Sequence, residues 1–327
     1  MANENTALVE KKTYTDFSNE HIDKKIVLSI AEAGKTVESI QKAEKVGRII
    51  STIFTYIFIV ALAIIIIFPF YWMIITSLKQ NEEINATVQT FFPNIVMWTN
   101  YIYVFQTFDF GTYMINTIVV GAFSTLGTLI TTILGAFAFA RLKFKGRDAL
   151  FAIFLMTMMI PGEMMVISNY ITVAAFGWIG SGQTLIEAYA AMIVPFWISV
   201  FYIYLLRQNF KQIPNELYLA AKVDGKSDWN YLWKVMVPLA KPTLITIFIL
   251  KLMGAWNSYV WPNLVADKEQ YRLISNGLRS SFSTVTGEPQ YGLQMAATVL
   301  VTVPLLLLFI FFRKYIMRGV GRAGIKG

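Results

Sequence analysis

The sequence predicts an all-α polytopic membrane protein with six transmembrane helices and cytoplasmic N and C termini. Three observations carry that expectation. Hydrophobic residues make up 56% of the 327 and charged residues only 15%, and mean hydropathy is +0.53, a balance that belongs to chains whose solvent is lipid. Six apolar stretches are long enough to cross a hydrocarbon core roughly 30 Å thick, which takes about 20 helical residues. The cations, finally, crowd onto one side of those stretches.

The stretches read as helices because lipid offers the backbone no hydrogen-bond partner. The first covers residues 49–78, is apolar through Ile64, Ile65, Ile66 and Ile67, and is expected to break at Pro69. The second, 113–140, is rich in small residues, and Gly121, Gly127 and Gly135 suit close approach between membrane helices. A third, 149–171, carries Pro161-Gly162 in its outer half, and a fourth, 185–206, contains Pro195. The fifth spans 242–262 and the sixth 292–312. Together residues 49–318 form a six-helix transmembrane domain.

Orientation follows from the tendency of Lys and Arg to stay on the cytoplasmic side during insertion. With the amino terminus inside, segments 1–48, 141–148, 207–241 and 313–327 hold 8, 4, 6 and 5 of them. The outer side holds only Lys79, Lys268, Arg272 and Arg279, and Lys251 alone falls within a span. Because the clusters flank apolar runs, the net charge of +8 points to a lipid bilayer and to no nucleic acid.

Residues 1–48 read as a cytoplasmic extension with equal numbers of acids and bases. Ile26, Val27, Ile30, Ala33, Val37 and Ile40 recur at helical spacing, which permits an amphipathic helix on the membrane surface or a partner; a partly disordered tail fits equally. No cleavable signal peptide is expected, since the first apolar stretch begins near Ile49 and is too long for a signal core. With no cysteine and one histidine, His21, the chain offers no thiolate site and no metal-ligand set. The spans hold no cluster of His, Asp or Glu at one depth, so no catalytic residue is assigned. The string Gly34-Lys35-Thr36 has Ser29 where a phosphate-binding loop needs its first glycine, so no nucleotide cofactor is expected on this chain.

The most informative segment is the cytoplasmic loop 207–241. It reads Ile213-Pro214-Asn215-Glu216-Leu217-Tyr218-Leu219-Ala220-Ala221-Lys222-Val223-Asp224-Gly225 and closes at Val237-Pro238-Leu239. A short helix should begin near Pro214, whose fixed φ suits a first turn, and end at Gly225, the usual left-handed cap. Ser227 or Asp228 can cap a second helix that stops before Pro238. Small side chains at Ala220 and Ala221 would let the first helix seat in a groove of another protein, with Glu216 and Asp224 as polar contacts.

Here the sequence resembles the permease subunits of ABC importers, whose loop carries the EAA motif P-x-E-L-x-E-A-A-x-x-D-G followed by a distal proline. Pro214, Glu216, Leu217, Ala220, Ala221, Asp224, Gly225 and Pro238 match; Leu219 stands where the family has its second acid. Further marks resemble the carbohydrate permeases of the maltose-system type. They are Pro69-Phe70-Tyr71-Trp72-Met73, Thr76-Ser77-Leu78-Lys79, Phe137-Ala138-Phe139-Ala140-Arg141, Ile160-Pro161-Gly162-Glu163, Ala255-Trp256-Asn257 and Gly324-Ile325-Lys326-Gly327.

The resemblance implies a type I ABC importer permease fold and a sugar or oligosaccharide substrate. It further implies a second, usually non-identical permease and two copies of a cytoplasmic ATPase that bind ATP and Mg. An extracellular or periplasmic solute-binding protein would deliver the sugar. A homodimer, an amino-acid or polyamine substrate, and a secondary transporter remain as alternatives. Within the tail 319–327, Gly324, Lys326 and Gly327 are candidate ATPase contacts. Lys251, Trp256, Asn257 and Glu163 are candidates for the translocation path: an unpaired cation in a span is costly and should face a cavity, a carboxylate or carbonyls, while Trp256 and Asn257 could stack on and hydrogen-bond a pyranose.

Overall fold

Apolar sequence with no internal break signal other than one proline folds as a single long helix, α1 (Glu44–Ser77), in the computed structural model. The structure describes residues 42, 44–107, 109–277 and 290–321. The expected amphipathic helix at 26–40, His21, the Gly34–Thr36 string and the tail residues Gly324, Lys326 and Gly327 lie outside the described residues. No break forms at Pro69, contrary to expectation. A proline in a span removes one N–H and frees one carbonyl, a deficit that membrane helices absorb by small adjustments of the preceding turn. The chain divides into two units, residues 1–71 and 72–327. That boundary falls inside α1, whose most apolar window is wholly unburied.

In the second unit, α2 (Asn81–Ile84) and α3 (Thr99–Thr107) precede α4 (Phe110–Arg141). After them come α5 (Arg147–Met156), α6 (Val166–Ala175), α7 (Leu185–Ile193) and α8 (Val200–Gln212). The loop region holds α9 (Asn215–Val223), α10 (Asp228–Tyr231) and α11 (Val237–Leu239), followed by α12 (Lys241–Trp256), α13 (Val260–Val265) and α14 (Tyr291–Gly321). Among the described residues, α1, α4 and α14 are long and apolar enough to cross a membrane alone; three bent helix pairs raise the number to six if each pair is one crossing.

The bends have local causes. Residues 147–159 and 162–175 meet at 91°, because Ile160 precedes Pro161 and is driven to an extended ψ of 116°. Segments 185–196 and 200–212 meet at 50°; the break lies not at Pro195 but at Ser199, which is extended. Helix α12 ends at Trp256, and Pro262 falls in the first turn of α13, where its missing N–H forfeits no bond.

At the centre, α4 packs against α8 and α12. Its buried stripe includes a run of small and hydroxylated residues, Gly121, Ser124, Thr125, Thr128 and Thr132, which let helix backbones approach. The approach is closest at Gly127, where an added Cβ would lie 2.1 Å from the indole nitrogen of Trp197. The same face of α4 repairs the break between α7 and α8. Thr128 Oγ1 donates to the Phe196 carbonyl at 3.0 Å and Thr131 Oγ1 to that of Trp197 at 2.6 Å. Backbone groups freed at a helix break within a span need such partners.

Three apolar cores lie along α4. The first gathers Ile133 and Phe137 with Leu206, Phe210, Tyr231 and Met236; the second gathers Val120 with Met192, Trp261 and Leu273; the third gathers Phe110 and Tyr113 with Ile274 and Ala297. The first core seats the loop region, because Tyr218 and Ala221 of α9 pack against it.

Candidate functional site

Helix α9 forms where the sequence signals a helix and ends where it signals a stop. Pro214 is the N-cap, with ψ 137°, and Asn215 begins the helix, so the proline stands one place before the first turn. At the other end Gly225 has φ +68°, a region an L-residue enters only at a cost of roughly 1–2 kcal/mol. Lys226 N donates to the Ala221 carbonyl at 2.8 Å and Gly225 N to that of Lys222 at 3.0 Å, the paired bonds of a Schellman cap. Ser227, not Asp228, caps the next helix, accepting from Asn230 N at 3.3 Å. That helix does not stop before Pro238. A π-turn at Leu232–Met236 precedes α11, and Pro238 starts the new turn, where its absent N–H is harmless.

Asp228 instead ties the two helices together. Its Oδ1 accepts from Lys222 Nζ at 2.8 Å and from the Tyr218 hydroxyl at 2.8 Å. Hydrogen bonding to Lys222 first, and then to Tyr218, holds the Asp228 carboxyl below the usual carboxylate range. The same bond holds Lys222 above its ordinary value. The depressed acid contributes stability above its unfolded pKa and loses it as pH falls through the lower folded value. The raised lysine contributes below its unfolded pKa and loses it as pH rises through the higher folded value. The latch is therefore closed across the neutral range, but both groups are partly exposed and the pair is weak.

The start of α9 is clamped by a span. Arg141, the last residue of α4, donates to the Phe210 carbonyl at 3.0 Å, to Asn215 Oδ1 at 3.3 Å and to the Ile213 carbonyl. Beside it Arg207 of α8 is buried, donates Nε to the Phe139 carbonyl at 3.1 Å, lies 3.8 Å over the Phe151 ring and pairs with Asp148 at 3.8 Å. Two guanidiniums thus lock the ends of α4, α5 and α8 to the base of α9. Arg141 entered the sequence reading only as a family mark and a member of an inner cation cluster, and Tyr218 and Lys222 only as positions of the loop string, with no role assigned to them.

What α9 presents outward is apolar. Val223 is 88% exposed, Leu219 55% and Leu217 42%, and Ala220 is exposed among them. Glu216 and Asp224 are exposed at the two ends of this face, without partners among the described residues. Ala221 corrects the expectation that both alanines face a partner. Successive helical residues lie about 100° apart, so when Ala220 faces out Ala221 turns in, here onto the chain's own core. Leu219, which replaces the family's second acid, is on the open side.

The candidate path residues do not come together. Lys251 lines a cavity of about 400 Å³ and donates to the Phe196 carbonyl at 3.1 Å. Trp256 is buried in packing, Asn257 is exposed at the end of α12, and Glu163 is exposed at the bend before α6; none of the three lines that cavity. Trp256 turns away because Ala255 and Gly254, on adjacent helical positions, already take the cavity wall.

Comparison with known proteins agrees with this architecture. Residues 127–322 match the family described as binding-protein-dependent transport system inner membrane component. The inner membrane ABC transporter permease protein YcjP of Escherichia coli (strain K12) is 30% identical, over 86% of this chain and 98% of its own. The arabinooligosaccharides transport system permease protein AraQ of Bacillus subtilis (strain 168) is 28% identical, over 83% of this chain and 94% of its own. In three dimensions the chain matches a subunit of a bacterial ABC transporter involved in the import of the acidic polysaccharide alginate. The TM-score is 0.73 at 23% identity, covering 81% of this chain and 96% of that one. A helical chain with bent membrane-length segments, matched by the family over more than half its length, belongs to the binding-protein-dependent transport system inner membrane components, the multi-pass permease subunits of ABC importers in the cytoplasmic membrane.

Proposed function

We propose that this chain is one of two permeases in an importer that moves a sugar or oligosaccharide into the cell, driven by ATP hydrolysed on separate subunits. The observation that carries the reading is α9, an apolar, outward-facing helix fixed at both ends on the cation-rich side of the chain. An exposed apolar face with acids at its rim fits a protein groove better than water. Two cytoplasmic ATPases that close on ATP and Mg would each grip such a helix. The arginine clamp then carries the push from α9 into α4, and α4 into α8 and α12, so that the pair of permeases alternates between inward-facing and outward-facing states.

Six crossings with both termini inside fit the cation distribution, and one such bundle encloses too little surface for a sugar-sized aqueous path. A second, non-identical permease supplies the rest, and a solute-binding protein delivers the sugar from outside. The name of the arabinooligosaccharide relative favours a saccharide over an amino acid or polyamine. Reconstituted into vesicles with its partners, the chain is expected to support oligosaccharide uptake that stops without ATP. Uptake that persists without ATP and collapses with an ionophore would make it a secondary transporter.

Arg141→Gln tests the clamp. It removes a charged donor from Phe210, Ile213 and Asn215, and bonds to charged groups are worth about 1.5–3 kcal/mol each. Uptake is expected to fall at least about tenfold while ATP hydrolysis by the complex continues, with partial recovery in Arg141→Lys. Equal loss of hydrolysis and uptake would mean that the arginine only holds the fold.

A further inference from the structure

The cavity at Lys251 lies within the second unit, between α4, the α7–α8 break, α12 and α13. Its wall is unusual in what it leaves unpaired. Ser124, Ser199, Ser258 and Tyr202 line it, and among the described residues none of their four hydroxyls has a hydrogen-bond partner. Lys251 brings three N–H donors and uses one, on the Phe196 carbonyl at 3.1 Å. No Asp or Glu lines the cavity, so the ammonium has no counter-charge there. Trp261 completes the wall with an apolar face, its indole N–H already committed to the Ala191 carbonyl at 3.0 Å.

Lys251 is not required as a cap for the broken helix. Thr128 Oγ1 already donates to the same Phe196 carbonyl at 3.0 Å, so the freed backbone acceptor keeps a partner without the lysine. A cation at membrane depth, costly to hold there, stays where it has work beyond capping. None of the four hydroxyls is sealed in packing, so each is open to pair with what enters the cavity. Four hydroxyls beside an aromatic face suit a ring that bears hydroxyls on its edge and C–H groups on its face. One uncompensated ammonium suits an anion.

We infer that this cavity binds a saccharide carrying an anionic group, a carboxylate or a phosphate, with Lys251 as its charge contact and the four hydroxyls as contacts to the ring. The inference rests on the importer reading above and names the substrate class for it. The volume, about 400 Å³, lies at the small end of ligand pockets and holds one or two sugar rings at a time, so a longer chain passes through it in register.

The test is binding of defined probes to the assembled complex in detergent, measured by calorimetry without nucleotide. The probes are digalacturonate, glucose 6-phosphate and neutral maltose. At least one anionic probe is expected to bind at least about tenfold tighter than maltose, the difference a charge-assisted contact makes. Preference for digalacturonate marks a carboxylate site and preference for glucose 6-phosphate a phosphate site. Lys251→Gln should bring the anions to within about twofold of maltose, Lys251→Arg should keep the preference, and Ser258→Ala should weaken all probes alike. Equal binding of charged and neutral probes by the unsubstituted complex, or no binding of any, overturns the inference even if Lys251→Gln fails to accumulate. So does a preference that survives Lys251→Gln. Failure of the importer reading looks different: ATP would then not drive uptake of any probe, whatever binds.

Discussion

Ala220→Arg is expected to abolish ATP-driven uptake while the chain inserts and accumulates normally. Ala220 is exposed at the middle of the outward face of α9, between Leu217, Leu219 and Val223. A guanidinium there meets nothing of its own chain, and arginine is a strong helix former, so the helix itself loses little. For a partner the change is severe, because a long cation at the centre of a small apolar interface must be desolvated or must hold the surfaces apart. Substitutions at such central positions cost about 2 kcal/mol or more of binding, which is roughly 30-fold in affinity. Co-purification of the ATPase and ATP-dependent uptake should fall together. Ala221→Arg is a different experiment: Ala221 packs on the core with Tyr218, so that variant is expected to lower the amount of folded protein as well.

Gly225→Pro should have an effect of similar size by another route. Gly225 sits at φ +68°, whereas proline is held near −65°, so the cap must come apart. The bond from Gly225 N to the Lys222 carbonyl loses its donor, and the bond from Lys226 N to Ala221 loses its geometry. Each is worth about 1 kcal/mol, and their loss frees the last turn of α9 along with Lys222 and its bond to Asp228. The spans do not depend on this turn. The expected outcome is normal membrane insertion, uptake below detection and faster proteolysis confined to residues 222–228. Gly225→Ala is the milder control: open space surrounds the position, and only the left-handed backbone penalty of roughly 1–2 kcal/mol applies.

The loop region was legible because its signals are local. Pro214, Gly225 and Ser227 each act on backbone within three residues, and the helix they bound is the one that forms. The small residues of α4 were legible for a similar reason, since Gly127 declares a close approach without naming the neighbour. The bends were not. Pro161 produces a 91° turn while Pro69 leaves its helix intact, and a proline's consequence depends on what surrounds the freed carbonyl. Long-range pairings were hidden as well. Arg141 reaches Ile213 and Asn215 across more than seventy positions, and only folding brings the end of α4 to the base of α9. The candidate path residues separated for a geometric reason: Lys251 and Trp256 are five positions apart on one helix, which puts their side chains on different faces.

Coupled import requires that α9 meet an ATPase on the cytoplasmic side. The chain contains no cysteine, so Val223→Cys introduces one reactive thiol at the most exposed large apolar residue of the helix. In intact cells a membrane-impermeant maleimide should leave it unlabelled, and permeabilisation should expose it. In the assembled complex a short bifunctional reagent should join it to the subunit that hydrolyses ATP. Labelling from outside intact cells, or full uptake by a complex in which that thiol stays open to reagent and joins nothing, would contradict it.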